Sequence, residues 1–313
     1  MVVSLSAGLL RNRQIDHASN RETHCPQKYC YDNLSSQMDR LSPFLSRFAL
    51  SARIFYSGRL CGLSGDHESE HAGHLHVLRR GRLRILQSGK RSRIINQPSV
   101  LFYPRPMRHR FQVDEKEGAE LVCARVEFGT GMLNPLVLSM PELLVVTLAS
   151  VHQLNPTADL LFAEAFGDQP GRQAAVDRLS EYFLVLLLRA AIDHQLVKSG
   201  VLNGLGDARL AKAISAMHER PEHAWTLEEL AHIAGMSRPR FAVHFREVVG
   251  STPFGYLTDW RIGVAQALLR KSEPLKIVAP AVGYSGSTAL SRVFSDRVGL
   301  SPMEWLARIN TSV

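Results

Sequence analysis

The chain has 313 residues, 45% of them hydrophobic, and a net charge of +8. That length and apolar content suit two domains, each with its own core, and the charge suits a polyanionic partner. Four cysteines exclude a disulfide-stapled scaffold and suggest free thiols. The longest apolar run, Tyr182 to Leu188, is far short of a membrane span. The first residues lack the apolar core of a secretory leader. A soluble, cytoplasmic protein with no membrane partner is expected.

Residues 1–37 are polar and unpatterned, and read as a disordered tail. His24, Cys25 and Cys30 lie there, one ligand pair short of a usual zinc site. Patterned sequence begins at Met38, and 41–50 has the spacing of a short amphipathic helix. From Ala52 the period changes to two. Short strands follow, separated by Gly, Pro or charged turns, so 38–155 is expected to form a β-sandwich or barrel.

Within it, 79–110 holds ten basic residues and no acidic one. The simplest reading is a solvated sheet face; added non-specific DNA affinity is the other. His67, His71, His74 and His76 cluster just before that segment and His109 lies near its end, with Cys61 and Cys123 on strands nearby. Unbroken alternation puts His74 and His76 on the side of Arg80, Arg82 and Arg84, and Leu75, Val77, Leu83 and Ile85 on the core side. A bulge at 79–81 would reverse that. The cysteines read as inert core thiols, or else as partners of these histidines in a metal or thiol sensor.

Helical spacing returns in 156–199. Ala175, Leu179, Tyr182, Phe183, Leu186, Leu187 and Ala190 form a broad apolar stripe, suited to covering the barrel or to dimerisation. Residues 200–206, rich in glycine, read as a flexible linker. The rest of the patterned chain, 207–309, carries only 13 basic residues against 10 acidic, so charge alone does not mark it.

Its pattern does. Thr226 with Glu229 makes a capping box, and Leu227, Leu230, Ala231 and Ile233 follow at helical spacing. After the turn at Gly235, Ser237 would cap a second helix. Phe241, Phe245 and Val248 form its buried stripe, and Arg238, Pro239, Arg240, Val243, Arg246 and Glu247 its outer face. A helix from Pro253 to about Arg270 connects to a repeat of the same unit. There Leu275, Ile277, Val278, Ala281 and Val282 make the scaffold helix, Gly283-Tyr284 the turn and Ser285 or Ser287 the cap. Leu290, Phe294 and Val298 are the buried stripe of the next helix; Ser287, Thr288, Ser291, Arg292, Ser295 and Asp296 lie outward or at its edge. Two helix-turn-helix units in tandem indicate DNA binding far more strongly than one.

The segments TLEELAHIAGMSRPRFAVHFREVVG and VGYSGSTALSRVFSDRVGLSPMEW resemble the DNA-binding domain of AraC/XylS transcription regulators. HLHVLRRGRLRI, PSVLFYPRPMRHRF and GAELVCARVEFGTGM resemble the cupin-like sensor barrel found at the start of many such regulators. The resemblance implies an α+β protein of two domains: an N-terminal cupin-like barrel with a dimerisation-type helical segment, and an all-α domain of two helix-turn-helix units joined by a linker helix. It further implies a sequence-specific regulator, an activator by kinship, that senses a small effector, dimerises and works with RNA polymerase on promoter DNA. Pro239, Val243 and Arg246 would face one major groove; Ser287, Thr288, Ser291 and Arg292 would face the next. Pro280 departs from the family pattern and is expected to kink or shorten its helix.

Metal-binding cupins use His-x-His, a Glu and a later His. His74, His76 and His109 echo three of these, but Gly81 follows too soon for the Glu, so no enzyme is expected and no cofactor is assigned. A metal-dependent cupin enzyme fused to a DNA-binding domain is the alternative, and a ligand-independent DNA-binding protein a third. Cys61, His74, His76, His109 and Cys123 are the candidate effector or metal residues.

Overall fold

The period-two segments do fold into strands, in two antiparallel sheets. The computed structural model describes residues 39–48, 50–66, 72–87, 89–129 and 134–311. The expected tail with Cys25 and Cys30, and His67 and His71, lie outside the described residues. A short helix α1 (Ser42–Arg47) precedes β1 (Leu50–Leu60), β2 (Gly62–Leu63), β3 (Gly73–Gly81), β4 (Leu83–Leu86), β5 (Arg93–Ile95), β6 (Ser99–Tyr103), β7 (Arg110–Val113) and β8 (Ala119–Phe128). After α2 (Pro135–Ser139), β9 (Leu144–Thr147) completes the set. One sheet runs β1-β8-β3-β6-β9, the other β2-β7-β4-β5.

Leu78, Leu83, Ile85, Leu101, Phe111, Leu121 and Cys123 pack between the two sheets. The other face of the five-stranded sheet carries Leu75, Val77, Val100, Phe102, Val122 and Ala124. Helices α3 (Leu154–Ala165) and α4 (Arg172–Asp193) cover it. The central strands β3 and β6 are therefore buried on both faces. A bulge in β1 at Ile54/Tyr56 leaves the Ile54 amide to donate to Asp177 of α4, at 3.1 Å.

This arrangement corrects the expected facing of the histidines. His74 lies opposite Tyr103, and His76 opposite Leu101 and Cys123, so both point into the barrel. The register shifts between Leu78 and Arg80, and Gly81 takes a left-handed φ of 96°. That shift lets Leu83 and Ile85 point inward too, while Arg80, Arg82 and Arg84 stay exposed.

The glycine-rich segment 200–206 also departs from expectation. Val201–Gly206 is a helix, α5, with Val201, Leu202, Gly204 and Leu205 buried. A Cβ on Gly204 would stand 2.7 Å from Ile214 Cδ1 and 2.9 Å from Val249 Cγ2. Here glycine serves close approach between helices rather than flexibility.

The helical end comprises α6 (Leu210–Glu219), α7 (Leu227–Ile233), α8 (Arg238–Val249), α9 (Pro253–Arg270), α10 (Leu275–Ala281), α11 (Ser287–Val298) and α12 (Pro302–Thr311). The described residues from 39 to 311 belong to one compact unit. The apolar core that begins at the sheet continues through Phe44, Phe48, Leu202 and Leu205 into Trp260, Phe241 and Phe294. No helix among the described residues is long and apolar enough to cross a membrane.

Candidate functional site

Two constellations stand out, one at each end of the chain. In the first helix-turn-helix unit the capping box forms as expected. Thr226 N donates to Glu229 Oε2 at 2.7 Å, and Glu229 N to Thr226 Oγ1 at 3.2 Å. The Thr226 amide and hydroxyl, both donating to the Glu229 carboxylate, hold that carboxyl below the usual range. Gly235, at φ 63°, makes the turn into α8. Phe241, Phe245 and Val249 face the core. Val249 completes the buried stripe, and Val248, expected there, is half-buried against the same core. Arg238, Pro239, Arg240, Val243 and Arg246 are all exposed along the opposite side. Ser237 occupies the N-cap position but makes no side-chain cap.

The second unit repeats the first with small differences. Leu290 and Phe294 are buried; Thr288, Arg292 and Asp296 are exposed; Ser287 and Ser291 are half-buried. Gly286, rather than Ser285 or Ser287, is the N-cap of α11. In α10, Val278 and Ala279 are buried, whereas Ile277 and Ala281 face outward. Pro280 is the next-to-last residue of α10, which has seven residues, as α7 has. The proline therefore shortens nothing relative to the first unit.

Sequence reasoning missed the residues that join the two units. Arg261 of α9 donates to the carbonyls of Pro221 at 2.6 Å and His223 at 2.8 Å, and its guanidinium lies 5.8 Å from the centre of the Tyr284 ring. Gly283, at φ 80°, leaves room for it; a Cβ there would stand 2.7 Å from Arg261 Nη2. Arg297 of α11 pairs with Asp259 of α9 at 3.3 Å. One helix thus ties the segment ahead of α7 to the turn of the second unit. An arginine amid a helical pattern gives no sign of such a role.

The second constellation lies inside the barrel. His74, His76 and His109 are buried, and one ring nitrogen of each lies within 4.8 Å of the others. His109 Nε2 and His76 Nε2 are 2.8 Å apart. His109 Nδ1 is 2.8 Å from the Met107 carbonyl, which can only accept. The Nδ1 therefore carries a proton, which in the neutral ring leaves Nε2 a lone pair. Tyr103 stacks on the His109 ring at 3.9 Å, and Phe111 meets His76 edge-on at 4.8 Å. Cys123 sits across from His76 in the next strand, and burial pushes its thiol up. Cys61 is exposed and is not brought into the histidine group. On the outer side, a cavity of about 420 Å³ reaches His109 between Asp66, Lys90, Arg108 and Arg110. Asp66 binds both arginines, and those bonds hold its carboxyl far down.

The donor set suits a transition-metal ion better than calcium or magnesium: three imidazoles, no carboxylate in the group, and one ring fixed by a backbone carbonyl.

Residues 39–193 match the family described as Cupin, and 230–308 the family described as Helix-turn-helix domain. The RCS-specific HTH-type transcriptional activator RclR of Escherichia coli is 30% identical over 87% of this chain and 98% of its own length. An HTH-type transcriptional regulator of Haemophilus influenzae is 34% identical over 54% of this chain; the match spans 57% of that protein. An AraC-like transcription regulator of Streptomyces antibioticus is 37% identical over 41% of this chain and 43% of its own length. With a matched helix-turn-helix domain at one end, a cupin match at the other and a relative aligned nearly end to end, the chain belongs to the AraC family of helix-turn-helix transcription regulators.

Proposed function

We propose that this regulator reads two successive major grooves with α8 and α11, and that its barrel senses a small effector at His74, His76 and His109. The observation that carries the DNA reading is the matched pair of helices. Each has 12 residues, is anchored by two large apolar side chains, and ends on a left-handed glycine, Gly250 or Gly299. Arg238, Pro239, Arg240, Val243 and Arg246 face the first groove; Ser287, Thr288, Ser291 and Arg292 face the second. The near full-length kinship with a protein named an activator supports activation as the sign of regulation, with RNA polymerase as the partner at the promoter.

The effector reading rests on a buried polar cluster in an otherwise apolar core. A transition metal held by the three imidazoles would supply a positive centre able to bind and orient an anionic group. Regulation rather than catalysis is the use we assign to it. The outer face of the five-stranded sheet, whose inner face carries His74 and His76, shares one core with the helical end through α1 and α5, which gives effector binding a physical route to the DNA end. On α4, Phe183, Leu186, Leu187 and Ala190 are spent on covering the sheet, but Tyr182 is exposed, with Leu179 and Ala175 half-buried beside it. We assign that outer strip to a homodimer contact. Sedimentation showing only monomer at micromolar concentration would remove this assignment.

The test of the DNA reading uses duplexes enriched by the full chain from a random-sequence pool. Arg246→Ala and Arg292→Ala should each weaken binding. Loss at particular sequences marks a base reader; uniform loss with a shallower salt dependence marks a phosphate contact. Undiminished binding by both variants would refute the assigned faces.

A further inference from the structure

The two reading helices superimpose in sequence at a constant offset. Phe241 and Leu290, Phe245 and Phe294, and Gly250 and Gly299 are each 49 residues apart. These pairs do the same structural work in each unit, so the offset also matches the outward positions. It sets Pro239 against Thr288, and Val243 against Arg292. Val243 is 58% exposed, in the middle of the outward face of α8, with Pro239 one turn before it. An apolar pair there covers nothing within the chain. At the same place in α11 stands an exposed guanidinium with a hydroxyl one turn before it. The other arginine near the end of α11, Arg297, is held by Asp259.

Resting on the proposed DNA reading, we infer that the two helices read chemically different half-sites: Val243 reads the methyl group of a thymine in one, and Arg292 reads a guanine in the other. The thymine methyl is the one apolar feature that the standard base pairs offer on the floor of the major groove. Guanine O6 and N7 are two acceptors side by side, matched to the fork of a guanidinium. A chain built to read the same base twice would carry the same group at both matched positions. The two halves of the site therefore differ in sequence.

The test changes single atoms or groups in the DNA. The probe is the duplex that full-length protein enriches from a random pool, followed by fluorescence anisotropy. Uracil in place of the reading thymine removes only the methyl. It should weaken binding about fourfold, the worth of one buried methyl-sized group. Val243→Ala should bind the thymine duplex more weakly and no longer distinguish uracil from thymine. In the other half-site, 7-deazaguanine removes one acceptor. It should weaken binding about fivefold or more, and Arg292→Ala should be indifferent to it. Equal affinity for uracil and thymine at every position overturns the inference, as does a Val243→Ala protein that still discriminates. Arg292→Ala that still senses 7-deazaguanine overturns the second half. A pool that yields no enriched sequence would instead refute the DNA reading on which the inference rests.

Discussion

Phe44 and Trp260 meet edge to face with ring centres 4.8 Å apart. The first belongs to α1, ahead of the barrel, and the second to the helix that joins the two reading units. Both are fully buried. Phe48 adds a second edge contact to Trp260 at 5.1 Å, and Phe44 a third to His218 at 4.5 Å. The segment before the barrel is thus a structural part of the DNA-reading end. Truncating Phe44 to alanine removes a buried ring and leaves a cavity, at a cost of about 3–5 kcal/mol. Chemical denaturation of the full chain should show that loss. A change below about 1 kcal/mol would mean that the core closes over the gap and that α1 is not a structural clamp.

Gly204 offers a second check on the same junction. A side chain there enters space held by Ile214 and Val249. Gly204→Leu should destabilise by about 1–3 kcal/mol through overpacking. Shortening the neighbour should relieve part of it, so Gly204→Leu with Ile214→Ala should be more stable than the sum of the two single changes predicts. Strict additivity in thermal melts would show that α5 does not press on α6.

The legible and illegible parts of this fold divide by range. The helix-turn-helix units announced themselves because their signals are local: the Thr226–Glu229 box, the stops at Gly250 and Gly299, and apolar residues three and four apart. The barrel strands were legible for the same reason, from alternation. The face of His74 and His76 was not, because one register shift at Leu78/Arg80 reverses every later side chain. For 200–206 the glycines drew attention, while the helical spacing of Val201, Leu202 and Leu205 held the truer signal. The Phe44–Trp260 contact spans more than two hundred residues, and no short-range pattern encodes it. Likewise, bringing His109 to His76 needed the sheet of β7 to face the sheet of β3, which period alone does not specify.

His218 makes the stability of the chain depend on pH. It is wholly buried against Trp260, with Nε2 2.5 Å from the Tyr256 hydroxyl. Burial, and next the charge of Arg47, push its imidazole well below the ordinary value. In the unfolded chain the same imidazole titrates near about 6.5. Below that pH the unfolded state takes up a proton that the folded state refuses, so stability is full above it and falls with pH. The slope from one such group is about 1.4 kcal/mol per pH unit. Denaturation midpoints between about pH 6.5 and 5 should fall more steeply for the native chain than for His218→Leu. Parallel curves would show that His218 is protonated without penalty.

The histidine group in the barrel makes the last prediction, and it separates metal binding from thiol chemistry. Ligand imidazoles must be neutral with a lone pair directed at the ion, and His109 is already fixed that way by the Met107 carbonyl. The full chain, stripped with a chelator and reloaded with zinc, should therefore retain the ion on a desalting column. Zinc at about a hundred times its dissociation constant should stabilise the fold by about 2.7 kcal/mol, visible as a raised melting temperature. His76→Ala and His109→Ala should each abolish both retention and shift. Cys61→Ser should change neither, because that thiol is exposed and stands outside the group. Cys123→Ser should also keep the ion, because Cys123 stands outside the group of three imidazoles. Lowering the pH to about 5 should release the metal as the imidazoles protonate. Retention that survives loss of either histidine, or that vanishes with Cys61, would place the metal elsewhere and remove the barrel centre as the effector site.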